Sequence, residues 1–192
     1  RNVAFSAMEL ATLAQLHPGR LIAGIGHGMP SWMREAGVWP KSPLTLLREY
    51  SLALKALLRG QSAPANGRYV KAEGTVIGEV SETAPPIVLG VRGPKSLALV
   101  GEVSDGVVLA EPSSPAYIRT ALATITDAVP SAAPLVIAYD FTVVAETTEE
   151  AHATVRPLLA TTGEPDTLPH IVPLPFADEL ATLRADSADS AE

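Results

Sequence analysis

The chain has 192 residues, 47% of them hydrophobic and 18% charged, a composition typical of one globular domain rather than a disordered segment. The net charge of −7 argues against a nucleic-acid-binding surface, and no run approaches the roughly 18 apolar residues of a membrane span. The absence of cysteine excludes disulfides and thiolate chemistry, and the first residues lack a signal-peptide pattern, so we expect a cytoplasmic protein.

The first half of the chain predicts two helices and one buried strand. Apolar residues near helical spacing predict a helix over 2–15, and the run LIAGIG at 21–26 predicts a strand buried on both faces. Residues 28–43 contain several Pro and Gly and are predicted to be a loop. The clearest helix covers 42–60, with Ser42 as its cap, a proline in its first position and a glycine at its end.

The second half repeats the alternation of strands and helices. Residues 61–84 are predicted to be irregular, with a short strand pair around 68–70 and 75–77. A helix capped by Ser114 is predicted before the last strand. The predicted strands are 85–91, 107–111 and 134–145, and the predicted helices are 93–105, 113–129 and 147–159. The last thirty residues are predicted to be an irregular tail.

Apolar strands that alternate with helices predict an α/β fold with a parallel sheet covered by helices. We expect residues 1–192 to form a single domain, in which 146–192 is a helix followed by the tail. Four strand–helix units are too few to close an eight-stranded barrel of about 200–250 residues, so an open sheet is the alternative.

The segment GVRGPKS at 90–96 carries the most specific chemistry of the chain. A strand ends there, glycines free the backbone, and a helix begins at Pro94. The unpaired amides of a helix N-terminus bind anions, to which Arg92 or Lys95 would add charge and Ser96 a hydroxyl. A tight strand-to-helix turn with solvated charges is the alternative interpretation.

His27 lies between Gly26 and Gly28 at the end of the first predicted strand. An imidazole there would bond a cofactor or substrate, or transfer a proton, although a lone histidine is more often structural. Trp32, Met33 and Trp39 follow and either wall an apolar pocket or pack the loop. No metal-ligand spacing links the histidines and carboxylates, and Asp105-Gly106 is read as a turn.

Three segments in this order resemble the luciferase-like monooxygenase superfamily, and most of all its branch that uses the deazaflavin coenzyme F420. They are LATLAQLHPGRLIAGIGHG, LLREYSLALKALLRG and PPIVLGVRGPKSLALVGEVSDGVVLAE. The most specific part is GxRGPKS followed nine residues later by Asp-Gly, and the resemblance covers about residues 1–160.

The resemblance implies a TIM-type (β/α)8 barrel of the bacterial-luciferase-like kind, of which this chain holds about strands four to seven. The first three strands are then expected before Arg1 and the eighth after Glu192, with further segments missing near 161–170. The chain is therefore expected to be the central and C-terminal portion of a larger barrel.

The implied activity is hydride transfer between coenzyme F420 and a small organic substrate. FMN-dependent monooxygenase chemistry is the alternative within the superfamily, and a non-catalytic half-barrel that binds a ligand or assembles is the alternative outside it. We expect a homodimer, no metal, and no catalytic base that can be named on these strands. The residues that the resemblance assigns to cofactor binding are Gly26, His27, Gly28, Val91, Arg92, Gly93, Pro94 and Lys95.

At three further positions the sequence allows two roles for the side chain. Glu111 matches a position that the cofactor tail passes, although an acidic side chain is unfavourable beside a polyanion. Ser114 would bind phosphate or cap its helix, and the cap is preferred. Asp140 either points into a polar barrel interior or marks a bulge.

Overall fold

The computed structural model describes residues 1–161 and 171–189, in which helices and strands alternate along the chain. The elements in chain order are α1 Val3–Leu16, β1 Ala23–Gly26, α2 Pro30–Glu35, α3 Pro43–Leu57, β2 Ile87–Gly90, α4 Pro94–Val103, β3 Gly106–Leu109, α5 Pro115–Ala128, β4 Leu135–Ala138, α6 Thr148–Thr161 and α7 Ala177–Asp189. None of the helices in these ranges combines the length and apolar character needed to cross a membrane.

The four strands form one parallel sheet in the order β1-β2-β3-β4, which confirms the α/β fold predicted from the alternation. Strands β1 and β4 each have a single neighbour, so the described residues build an open sheet and not a closed barrel. Because all strands run the same way, their carboxyl ends meet at one edge of the sheet.

The two faces of the sheet differ in character. On one face, register partners from all four strands join a core with α4 and α5, and they are Ile25, Leu89, Val107 and Val136. A second core lies where α1 packs against α3 beside β1. Successive strand residues point to opposite faces, and the residues that follow on the other face are Gly26, Gly90, Val108 and Ile137.

Local capping explains where several helices begin. The side chain of Asn2 accepts a hydrogen bond from the Ala4 amide at 2.9 Å and starts α1. Ser114 caps α5 as predicted, with its hydroxyl accepting from the Tyr117 amide at 3.2 Å. Ser42 precedes α3 as predicted but makes no such bond, because its hydroxyl pairs with that of Thr45 instead.

Several sequence predictions of secondary structure were wrong. The predicted loop 28–43 contains the short helix α2, which starts at a proline already suited to the first helical position. Strand β4 stops at Ala138, because its neighbour β3 ends at Leu109, whose carbonyl accepts the last hydrogen bond from the Tyr139 amide. Within the tail predicted to be irregular, Ala177–Asp189 form α7, whose first turn is acidic and whose Leu180 is buried in the core, while 162–170 and 190–192 lie outside the described residues.

The strand pair predicted near 68–70 is also absent, because a side chain takes up the backbone amides. The carboxylate of Glu49 accepts hydrogen bonds from the amides of Arg68, Tyr69 and Val70 at 2.7, 2.8 and 3.0 Å. Desolvation raises the pKa of Glu49, but these bonds and the nearby charge of Lys71 outweigh it and hold the pKa below its ordinary value. The segment is thereby attached to α3.

Asp105 joins the amino ends of the strands. Its carboxylate accepts from the Ile87 amide at 2.9 Å and from the Lys55 ammonium at 2.6 Å, so it connects β2 to α3. Its backbone bonds to Ile87 through the amide at 2.7 Å and to the Leu135 amide through the carbonyl at 2.9 Å. The pair Asp105-Gly106 is therefore more than the turn that we predicted.

Gly106 lies where β3 packs closely against β4. A Cβ atom at this position would overlap the Leu135 carbonyl oxygen and lie 2.8 Å from the Leu135 Cβ. Because both contacts belong to paired strands that cannot separate freely, we expect Gly106→Ala to lower the free energy of unfolding by about 3 kcal/mol. Urea unfolding measures this loss. The control Gly78→Ala has open space and should change stability by less than about 0.5 kcal/mol; equal effects would contradict the packing.

Asp105 should also give the stability a pH dependence. Desolvation raises its pKa, but the bonds from Ile87 and Lys55 lower it further, so the folded-state pKa lies below the ordinary value. The stabilisation is therefore present at neutral pH and is lost as the pH falls through about 4 and below.

We expect Asp105→Asn to cost about 2 kcal/mol at pH 7 and the difference from wild type to shrink between pH 6 and 3. Urea unfolding at several pH values measures both. Asp127→Asn, on the exposed side of α5, is the control; a difference that stays constant with pH would refute the role of the carboxylate.

Candidate functional site

The carboxyl ends of β1 and β2 lie side by side through two glycines. Gly26 and Gly90 are register partners, and a Cβ on Gly26 would lie only 2.8 Å from the Gly90 carbonyl oxygen. Both residues are exposed. The two strand ends therefore present bare backbone, with no side chain between it and a molecule lying on this face.

Gly28 serves the turn that follows. Its φ of +72° is in the left-handed region, and an added Cβ would lie 2.9 Å from the Met33 sulfur. Gly28 thus directs the chain from β1 into α2 and packs against that helix. Its predicted contact with a cofactor stays a prediction.

The helix α4 begins directly after β2 with an open N-terminus. Gly93 is the capping residue, no side chain bonds to the first amides, and Pro94 occupies the first helical position. A Cβ built on Gly93 would meet nothing within 4 Å, so open space lies beside this end of the helix. Lys95 is exposed in the first turn. The Ser96 and Leu97 amides bond to the Gly93 carbonyl at 3.0 and 2.9 Å, so the Lys95 amide, the helix dipole and the lysine charge are what favour an anion here.

His27 connects the end of β1 to the first turn of α4. Its Nε2 atom lies 3.3 Å from the Ser96 hydroxyl, a contact between residues 69 positions apart in the chain. Burial lowers the pKa of His27 below its usual 6.5, so the imidazole is neutral at pH 7. A neutral imidazole donates through one ring nitrogen and accepts through the other, which suits hydrogen bonding to an uncharged ligand.

A cleft of about 250 Å³ opens beside His27. Its walls come mainly from β1, α2 and the start of α3, and they are mostly apolar. The residues that line it are Arg1, Ile25, Gly26, His27, Met33, Pro40, Pro43, Leu46, Leu47 and Tyr50. Of the three loop residues considered as pocket walls, Met33 takes part, while Trp32 is exposed and Trp39 lies under the Arg34 guanidinium.

Two of the predicted binding residues are buried. Val91 belongs to the helix-side core, so only its backbone remains for a ligand. Arg92 is also buried, and its guanidinium donates to the carbonyls of Glu111 and Pro112 instead of lying free beside α4. Its partner Tyr117, which sequence reasoning missed, comes from α5 and carries no local signal that could have pointed to this site.

The remaining candidates have local roles. The Ser113 hydroxyl donates to the carbonyls of Leu109 and Ala110, and Ser114 caps α5. Asp140 is exposed and accepts from the Phe141 amide at 2.9 Å. Glu111 is exposed in the loop after β3.

The protonation of His27 can be tested directly by NMR. We expect its ring to titrate below the usual pKa, so the folded state loses stability as the pH falls below about 6.5, where the unfolded chain takes up a proton first. His27→Gln assigns the signal and should remove this part of the pH dependence. Ser96→Ala keeps the burial and should leave the pKa low. A His27 pKa at or above the usual value would show that the ring is solvated or paired with a charge.

The sequence profile of the luciferase-like monooxygenase family matches residues 1–191. The chain is 34% identical over 109 residues to the 5,10-methylenetetrahydromethanopterin reductase of Methanolobus tindarius, which is 57% of this chain and 33% of that protein. It is 32% identical over 114 residues to the F420-dependent glucose-6-phosphate dehydrogenase of Mycobacterium avium, covering 56% of this chain and 33% of that protein.

The fold is similar to that of the coenzyme F420 dependent tetrahydromethanopterin reductase from Methanopyrus kandleri. The TM-score is 0.71 at 23% sequence identity, over 86% of this chain and 54% of that one. This chain therefore spans about a third of the curated relatives and about half of the structural neighbour. The profile match over almost the whole sequence shows that the chain belongs to the luciferase-like monooxygenase family.

Proposed function

We propose that this chain belongs to an oxidoreductase that transfers a hydride between coenzyme F420 and a small organic substrate. The observation that carries the proposal is the single sheet edge at which bare backbone, a neutral histidine and an open helix N-terminus lie together. The names of the relatives, two of which are F420-dependent enzymes, favour the deazaflavin over FMN.

The residues present fit such a cofactor. A flat ring system can approach closely where the backbone carries no side chains, as at Gly26 and Gly90. A phosphate requires donors and positive potential, which the α4 N-terminus and Lys95 provide next to the open space at Gly93. The bound cofactor would supply the hydride chemistry, while the protein binds, orients and shields it.

Each predicted binding residue then has a distinct task. Gly26 and Gly28 shape the strand end, and Val91 contributes backbone only. Gly93, Pro94 and Lys95 form the phosphate end of the site, and Arg92 lies behind it. His27 bonds to Ser96 on one side and leaves its other ring nitrogen for the ligand. None of these groups is assigned as the catalytic base.

The wider architecture follows from the same proposal. Strands β1–β4 correspond to about strands four to seven of a TIM-type barrel, and residues 1–192 form one domain. A homodimer in the cytoplasm stays a prediction. In that barrel the open edge of β4, where Leu135 and Tyr139 are exposed, would pair with the eighth strand.

Titration with F420 and with FMN tests the proposed function. We expect F420 to bind with a micromolar Kd, measured by its fluorescence, and FMN to bind at least tenfold more weakly. Tighter binding of FMN would show that the cofactor is FMN and not F420. If neither compound binds at high micromolar concentration, the oxidoreductase proposal is wrong.

The variant Gly93→Ala tests whether the cofactor phosphate binds at the α4 N-terminus. The added methyl meets no protein atom within 4 Å, so the fold should be unaffected, but it occupies the space proposed for the phosphate. We expect an affinity for F420 about tenfold lower, equivalent to about 1.4 kcal/mol. Gly78→Ala adds the same methyl into open space in the segment between α3 and β2 and is the matched control. Equal affinities of the two variants would place the phosphate elsewhere.

A further inference from the structure

Arg92 connects two loops at the carboxyl edge of the sheet. It lies in the loop from β2 to α4, and its guanidinium donates at 3.1 Å to the Pro112 carbonyl and at 3.0 Å to the Glu111 carbonyl. Both acceptors lie in the loop from β3 to α5. A single side chain therefore fixes the spacing between two neighbouring strand ends.

Tyr117 secures Arg92 from the opposite direction. The Tyr117 hydroxyl donates to the Arg92 carbonyl at 3.1 Å, and the guanidinium carbon lies 5.2 Å from the centre of the tyrosine ring. The two residues are 5% and 1% exposed. Backbone and side chain of Arg92 are thus both held by the β3–α5 unit, immediately before Gly93 and Pro94.

This arrangement is costly for the fold alone. Among the described residues no carboxylate lies within 4 Å of the guanidinium, and its Nε atom is buried without a hydrogen-bond partner. Burial lowers the pKa of Arg92, and the more distant charges of Glu111 and Asp140 offset this only in part, so the buried cation costs free energy that an apolar side chain of similar size avoids. The charge at this place therefore points to a requirement other than packing.

We propose that Arg92 is a positioning residue, which sets the place of the α4 N-terminus and of the open space at Gly93 without itself contacting the phosphate. The inference rests on the proposed function. It differs from the expectation drawn from the sequence, in which the Arg92 charge binds the phosphate directly.

Three variants separate positioning from direct contact. Arg92→Met keeps the volume and removes both hydrogen bonds, Arg92→Lys keeps the charge without the two-pronged donor, and Tyr117→Phe removes only the hydroxyl. We expect F420 affinity to fall about tenfold or more in Arg92→Met, and less in the other two. Binding of a deazaflavin that lacks the phosphate should fall much less than binding of F420, because it makes no bond to the α4 N-terminus and reaches α4 only through His27 and Ser96.

Salt dependence distinguishes the two roles. A side chain that pairs with phosphate makes the affinity fall with ionic strength, so removing it flattens that dependence. We expect Lys95→Met to flatten it and Arg92→Met to leave it as in wild type. A flattened dependence in Arg92→Met, or wild-type affinity for F420 in that variant, would overturn the positioning role.

Amide hydrogen exchange tests, without any ligand, whether Arg92 holds the α4 N-terminus in place. We expect Arg92→Met to speed exchange of the amides of Gly93 and residues 95–97 at least tenfold, while amides of β1 exchange as in wild type. Unchanged exchange at 93–97 overturns the proposal, and a global increase shows instead that Arg92 supports the whole fold. If the wild-type protein binds no F420, the proposed function is wrong. Faster local exchange in Arg92→Met would still support the positioning of the α4 N-terminus by Arg92.

Discussion

The carboxylate of Asp105 joins the amino end of β2 to α3, and the alignment of β2, β3 and β4 depends on this residue. It binds the Ile87 amide and the Lys55 ammonium, while the Asp105 backbone bonds to both neighbouring strands. This fixes where β3 begins, and the next residue must be glycine because Leu135 lies against it. With the amino ends aligned in a parallel sheet, the carboxyl ends meet at one edge, where the candidate site lies.

The two edges of the sheet use their polar groups differently. At the amino edge, backbone and side-chain groups bond to each other around Asp105, which suits a purely structural role. At the carboxyl edge, Gly26 and Gly90 are exposed and the amides at the start of α4 have no side-chain cap. His27 is half-buried and neutral between them. A helix N-terminus without a side-chain cap beside open space suits an anionic ligand.

Much of the fold was predictable because its signals are local. The helix at 43–57 and the Ser114 cap follow from residues within a few positions of each other, and apolar runs separated by helices predict a parallel sheet. The predictions were wrong where the length of a strand or the hydrogen bonds of a segment depend on residues distant in the chain. Strand β4 is short because β3 ends, not because its own sequence changes. Residues 68–70 are not a strand because Glu49, about twenty positions earlier, takes their amides.

By itself the sequence determined the order of strands and helices, the glycine-rich ends of β1 and β2, and, through its motifs, the family. Only the tertiary structure decided which charges remain for a ligand. Arg92 and Lys95 are three positions apart and equally cationic in the sequence, but Arg92 is buried against Tyr117 while Lys95 is exposed. The difference arises from carbonyls and a ring contributed 19 to 25 residues later. A hydrogen bond depends on distance in space, which the spacing of residues along the chain does not record.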